Sequence, residues 1–115
     1  MTHDRLFLIQ PGFKRPNRDP DTRYVCPDCN ILEGLLATAP SCAERQLLVI
    51  RVPFERPRHA VVALLGLDHQ GLPALVLGDE TEPPEDAKYC NGIHFFDTAE
   101  RIADWLAQRH GFYRL

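Results

Sequence analysis

The stretch from Pro27 to Thr38 constrains this chain more than any other. Ile31, Leu32, Leu35 and Leu36 recur at helical spacing, Pro27 suits a first helical position, and Pro40 lies just past the end. A helix over 27–38 is predicted. It is flanked by two apolar runs, Leu6-Phe7-Leu8-Ile9 and Leu47 to Val52. Both read as strands, the second buried on both faces. A strand, a crossover helix and a second strand close with right-handed geometry, so the two strands are expected as parallel neighbours with the helix packed on their sheet. Gly34 inside the helix costs about 1 kcal/mol relative to Ala and hints at another element approaching there.

The rest of the chain continues the alternation. Residues 11–24, with three prolines, a glycine and many charges, read as a long irregular loop. Pro57 opens a second helix carrying Ala60, Val61, Leu64 and Leu65, ended by Gly66. Gln70-Gly71 is a turn, and Ala74 to Leu77 a third strand with Pro73 just before it, where a missing N–H is tolerated. Asp79 to Asp86 holds five acids and two prolines and reads as a solvated loop. A fourth strand is expected between Lys88 and Phe96. Asp97, three residues before Glu100, has the spacing of a capping box for a last helix on Ala99, Ile102, Ala103 and Leu106, closed by Gly111. At 115 residues, one domain over 1–115 is expected.

Composition narrows the partners. Thirteen Lys and Arg against sixteen Asp and Glu give a formal charge of -3, which offers no general attraction to nucleic acid or anionic membrane, and neither is expected as a partner. Leu6 to Ile9 is too short for a signal-peptide core or a membrane span, so a cytoplasmic location is expected. In that compartment structural thiols stay reduced, and the close pair Cys26-Pro27-Asp28-Cys29 points to redox or metal chemistry.

Cys26 at a helix start meets backbone N–H groups and the positive end of the helix dipole, which favours thiolate over thiol. Asp28 opposes this with a negative charge, and Lys14, Arg15, Arg18 and Arg23 oppose Asp28 if the long loop folds over the site. In a redox role Cys26 attacks a substrate disulfide and Cys29, one turn on, resolves the mixed disulfide.

The order strand, helix, strand, helix, strand, strand, helix resembles the thioredoxin and glutaredoxin fold, with Cys26-Pro27-Asp28-Cys29 after the first strand and Leu72-Pro73 before the third. The resemblance implies a thioredoxin-like α/β fold, β-α-β-α-β-β-α, with a mixed four-stranded sheet flanked by helices. It also implies a cis bond before Pro73 beside the dithiol, Cys26 and Cys29 as catalytic, and Pro27, Leu72 and Pro73 as substrate-binding. Tyr24 through Glu33-Gly34-Leu35-Leu36, Arg51-Val52-Pro53-Phe54, Arg56-Pro57-Arg58, Gln70-Gly71-Leu72-Pro73 and Arg109-His110-Gly111-Phe112 look like a bacterial thioredoxin-like family of unassigned function, over nearly the whole chain. Three departures stand out. Thioredoxins carry Trp where this chain has Val25. They bury a carboxylate in the sheet, whereas the first apolar run here has no Asp or Glu. The glutaredoxin glycine pair is not reproduced around Asn91-Gly92, so glutathione is not expected.

The expected partner is a protein or small-molecule disulfide, with no cofactor and no bound metal. Two other readings of the same residues stand beside this one. In the first, the fold is a binding module with incidental thiols, contacting a partner through a sheet edge or a loop. In the second, Cys26 and Cys29 join Cys90 with His94 or Cys42 in a zinc or iron–sulfur site. Cys42 and Cys90 also read as small buried hydrophobes, the five histidines as surface or packing residues, and Trp105 as packing. Glu33, one turn beyond Cys29, is a candidate proton acceptor or a plain exposed helix residue.

Overall fold

The computed structural model describes residues 3–40, 47–80 and 82–115; Cys42 lies outside them. Among the described residues eight elements follow one another: β1 (Asp4–Ile9), α1 (Pro27–Thr38), β2 (Leu47–Val52), α2 (His59–Leu65), β3 (Ala74–Val76), β4 (Lys88–Cys90), β5 (Ile93–Phe96) and α3 (Ala99–His110). They build one mixed sheet in the order β2-β1-β3-β5-β4. β1 and β2 run parallel from Asp4 against Leu47 to Ile9 against Val52, as the crossover rule requires. The other pairings are antiparallel.

The period of two along the strands divides the core into two halves. Leu6, Leu8, Leu75 and Phe96 pack with Leu32 and Leu35 of α1 and Ile102 and Leu106 of α3. On the other face Phe7, Ala74, Val76 and Phe95 pack with Val61 and Leu65 of α2. β1 is therefore covered on both sides, which explains its continuous apolar run. β2 is an edge strand, and its interior is correspondingly more open than its sequence suggests: Leu47 and Val52 are buried but Leu48 is 48% exposed.

The sheet has five strands rather than four. Asn91 and Gly92 both take positive φ, 52° and 76°, the geometry of a tight hairpin turn, and fold the segment from Lys88 to Phe96 back on itself as β4 and β5. α3 is capped by Thr98, whose hydroxyl accepts from the N–H of Arg101, while Asp97 instead pairs with Lys88. Gly111 closes α3 in the left-handed conformation. The approach expected at Gly34 is absent: a methyl group there meets nothing within 4 Å.

β1 starts earlier than its apolar run, at Asp4, which is 3% exposed. Its Oδ2 accepts from Trp105 Nε1 at 3.0 Å and lies 2.7 Å from His110 Nε2, and its Oδ1 accepts from the Gly78 N–H at 2.8 Å. Burial alone raises the Asp4 carboxyl, but the hydrogen bonds from His110, Trp105 and Gly78 prevail and hold it below its ordinary value. The first strand thus does carry a buried carboxylate, at the end opposite the dithiol. Among the described residues no helix is long and apolar enough to cross a membrane.

Candidate functional site

β1 ends at Ile9, and the chain leaves the sheet for an excursion that returns at Tyr24. Phe13 and Tyr24 pair as an isolated antiparallel bridge that closes the loop at its base, with the Gly12 N–H donating to the Tyr24 carbonyl at 2.8 Å and the Tyr24 N–H to the Phe13 carbonyl at 2.9 Å. Phe13 then stacks on Phe54, their ring centroids 4.2 Å apart. Two open grooves of about 340 and 480 Å³ flank that stack, sharing Phe13, Phe54 and Glu55; neither sulfur of the dithiol lines them.

Two residues after the bridge, Cys26 is the N-cap of α1, with extended φ and ψ of -71° and 123°. Pro27 holds the first turn without needing a hydrogen bond of its own. The Cys26 sulfur takes the place of the usual cap oxygen: it accepts from the Cys29 N–H at 3.3 Å, and the Cys26 carbonyl accepts from the Asn30 N–H at 2.8 Å. The two cysteines differ sharply in setting. Cys26 is half-buried, whereas Cys29 is 2% exposed among Leu6, Leu8 and Ile9, its sulfur accepting from the Ile9 N–H at 3.4 Å. Burial, joined by the hydrogen bond and charge of Cys26 and by the charge of Asp28, pushes the Cys29 thiol up to about 12 against the opposing Ile9 N–H.

Leu72 and Pro73 come to the same place. The Leu72–Pro73 bond is cis, Pro73 is fully buried, and the Leu72 carbonyl oxygen lies 4.0 Å from the Cys26 sulfur. Arg56–Pro57 is also cis. The five residues expected at the site, Cys26, Pro27, Cys29, Leu72 and Pro73, therefore do meet at one end of the sheet.

The charges around them are arranged otherwise than expected. Of the loop cations, Arg23 donates to the Gly12 carbonyl and Arg15 sits over the Tyr24 ring, so both are engaged within the loop. Glu33 is held by Arg51 through two hydrogen bonds of 2.8 and 2.6 Å, which keep its carboxyl below the ordinary value; it is committed to an ion pair rather than poised for proton transfer. A cation in electrostatic range of both sulfurs is Arg58, buried at the N-cap of α2. Nothing in the sequence marked it beyond its place in Arg56-Pro57-Arg58, because its burial depends on how the turn at Phe54, four residues back, and the turn at Gln70, twelve residues on, present their carbonyls.

Cys90 and His94, the other thiol and metal candidates among the described residues, lie elsewhere. The Cys90 sulfur donates to the Leu65 carbonyl at 3.2 Å, and the His94 ring packs on Tyr89. Among the described residues no group of three or more His, Cys, Asp and Glu converges to hold a metal ion.

The model of a family described as "Protein of unknown function (DUF3088)" matches residues 3–114. No curated protein and no solved structure matches the chain.

Proposed function

From a chain that belongs to the DUF3088 family, a family without an assigned activity, we propose a thiol–disulfide exchange protein of thioredoxin-like fold, working in a reducing cytoplasm on a protein or small-molecule disulfide. The observation that carries this reading is the asymmetry of the dithiol. Cys26 is half-buried, with an N–H aimed at its sulfur, and Cys29 is buried directly behind it as a thiol. An accessible nucleophile backed by a protonated resolving group is what exchange needs. The β-α-β start, the mixed sheet and the placing of the Leu72-Pro73 turn beside Cys26 support the fold assignment.

The chemistry is two displacements. The Cys26 thiolate attacks one sulfur of the substrate disulfide, forming a mixed disulfide and expelling the other sulfur as thiolate. That departing thiolate takes the proton of Cys29, since among the described residues no carboxylate hydrogen-bonds to its sulfur. Cys29 then attacks the Cys26 sulfur, forming the 26–29 disulfide and releasing the second substrate sulfur, which takes a proton from water. One substrate disulfide becomes two thiols, and two protein thiols become one disulfide.

Reaction with a small aromatic disulfide that liberates a coloured thiolate tests this. With Cys42 and Cys90 replaced by Ser, so that no other thiol releases label, the chain should release two equivalents rapidly and finish with the 26–29 bond. In the same background Cys29→Ser should stop at one, with the label on Cys26. A Cys26→Ser chain reacting as fast as its parent contradicts the reading. The binding-module alternative draws on the two grooves beside the Phe13–Phe54 stack, which neither sulfur lines; it is favoured if the dithiol proves inert in this assay.

A further inference from the structure

Arg58 is 6% exposed, and its guanidinium bonds only to backbone carbonyls: Nε and Nη2 donate to Phe54 at 3.1 and 2.7 Å, and Nη1 donates to Gln70 at 2.7 Å. Its own N–H donates to Gln70 Oε1 at 2.8 Å. Among the described residues no carboxylate pairs with it. Buried charges are ordinarily paired, because removing an ion from water costs several kcal/mol that neutral dipoles offset only in part. Burial, with the like charge of Arg56, lowers the Arg58 value, and Cys29, Cys26 and the exposed side chain of Glu55 oppose that shift as groups that can become negative. The side chain also joins the turn at Phe54 to the turn that runs from Gln70 into Leu72-Pro73, whose Leu72 carbonyl faces the Cys26 sulfur. Arg58 therefore clamps the two loops beside the dithiol and brings an unpaired positive charge into its neighbourhood.

We infer that Arg58 is a positioning residue for the dithiol, the buried cation that balances a negative charge on Cys26 and so stabilises the reduced pair over the disulfide. This rests on the exchange reading above. It supplies the charge first sought in Lys14, Arg15, Arg18 and Arg23. Oxidation removes the negative charge from Cys26 and leaves Arg58 without its counterpart, so the cation makes the disulfide a stronger oxidant. Two consequences follow for a chain without it: a lower midpoint potential, and slower alkylation of Cys26 at neutral pH.

The test compares Arg58→Lys and Arg58→Met in two readouts, the midpoint of the 26–29 disulfide in thiol–disulfide redox buffers and the pH profile of Cys26 alkylation. Arg58→Lys keeps both the charge and N–H donors for the Phe54 and Gln70 carbonyls, so Arg58→Gln, which keeps amide donors without the charge, is compared as well: a purely structural role leaves Arg58→Gln close to Arg58→Lys, whereas a charge role moves it with Arg58→Met. Arg58→Met should favour the disulfide about tenfold, a fall of about 30 mV, and shift the alkylation profile toward higher pH; Arg58→Lys should stay within about twofold of wild type. Equal shifts in Arg58→Lys and Arg58→Met, an Arg58→Gln that stays with Arg58→Lys, or no shift in Arg58→Met overturns the inference. Should Arg58→Met not fold, nitrogen NMR of the unmodified chain decides: the Arg58 Nε–H resonance should differ between dithiol and disulfide forms, and an unchanged resonance overturns it. A wild-type chain that forms no 26–29 disulfide overturns the exchange reading itself, whereas a normal wild-type midpoint with unmoved variants overturns only the role of Arg58.

Discussion

Replacing Asp4 by Ala would leave three buried groups facing a void: the Trp105 indole N–H, the His110 ring and the Gly78 N–H, now bonded at 3.0, 2.7 and 2.8 Å. Hydrogen bonds to a charged acceptor are worth about 1.5–3 kcal/mol each, but three on one carboxylate do not add in full, because freed donors recover some hydration. A buried donor left without its acceptor costs about 1–3 kcal/mol, and with three such groups partly rehydrated we expect Asp4→Ala to cost about 3–5 kcal/mol. That is a large share of the roughly 5–15 kcal/mol that holds a domain together, equivalent to a fall in Tm of about 10–20 °C. Asp4→Asn keeps the shape and an acceptor for Gly78 but turns an amide donor toward the Trp105 donor, at a cost of about 1–3 kcal/mol. Because Trp105 is the only tryptophan, urea unfolding followed by its fluorescence reads this corner and the global transition together. The pH dependence has a definite sign. The Asp4 carboxyl is held below its ordinary value in the fold, so its contribution is full above the unfolded pKa of about 3.9 and is lost as pH falls through the folded value. Wild type should weaken across that acid range, and Asp4→Asn should lack this component. A loss below about 1 kcal/mol in Asp4→Ala, with Trp105 emission unchanged, would refute the argument that this network fixes the end of α3 to β1.

Two further outcomes follow from the helix that carries the dithiol. The Cys29 thiol is raised to about 12 in the fold, so the stability it contributes is full below the unfolded thiol pKa of about 8.5 and erodes as pH rises from there toward 12; Cys29→Ala should flatten the alkaline limb of the urea midpoint plotted against pH, and an unchanged limb counts against the burial argument. Gly34→Ala should stabilise the chain by about 0.5–1 kcal/mol in urea, since the position is helical, exposed and open around a methyl group; destabilisation would mean that the helix face is not free.

Features set by local chemistry were legible before the fold was known. Pro27, the spacing of Leu32 and Leu35, and Pro40 bounded α1 as found, and the two branched runs became parallel neighbours. Where reading stopped short, the cause was either a neglected short-range signal or a tertiary one. Asn91-Gly92 is a strong hairpin dipeptide, and weighting it would have divided one strand into β4 and β5. Thr98 competes with Asp97 for the cap, and the structure uses Asp97 in an ion pair with Lys88 instead. Asp4 and Arg58 are of a different kind. A charged residue beside an apolar run reads as the edge of an element, and only the arrival of Trp105, His110 and Gly78 in one case, and of the Gln70 carbonyl beside the nearby Phe54 carbonyl in the other, makes its burial tolerable. The same limit applied to Glu33, whose commitment to Arg51 depends on α1 packing against β2. The residues of the candidate site were thus readable from the sequence, while the electrostatics that would drive it were not.

The central claim is that Cys26 and Cys29 form a reversible redox pair. It is tested most directly by equilibrating the unmodified chain across a series of thiol–disulfide buffers, quenching with an alkylating agent, and locating the modified cysteines by peptide mass. One sigmoidal transition is expected, in which Cys26 and Cys29 lose their labels together while Cys90 keeps its own. A chain in which Cys26 stays alkylated under the most oxidising buffer, or is linked to a cysteine other than Cys29, contradicts it.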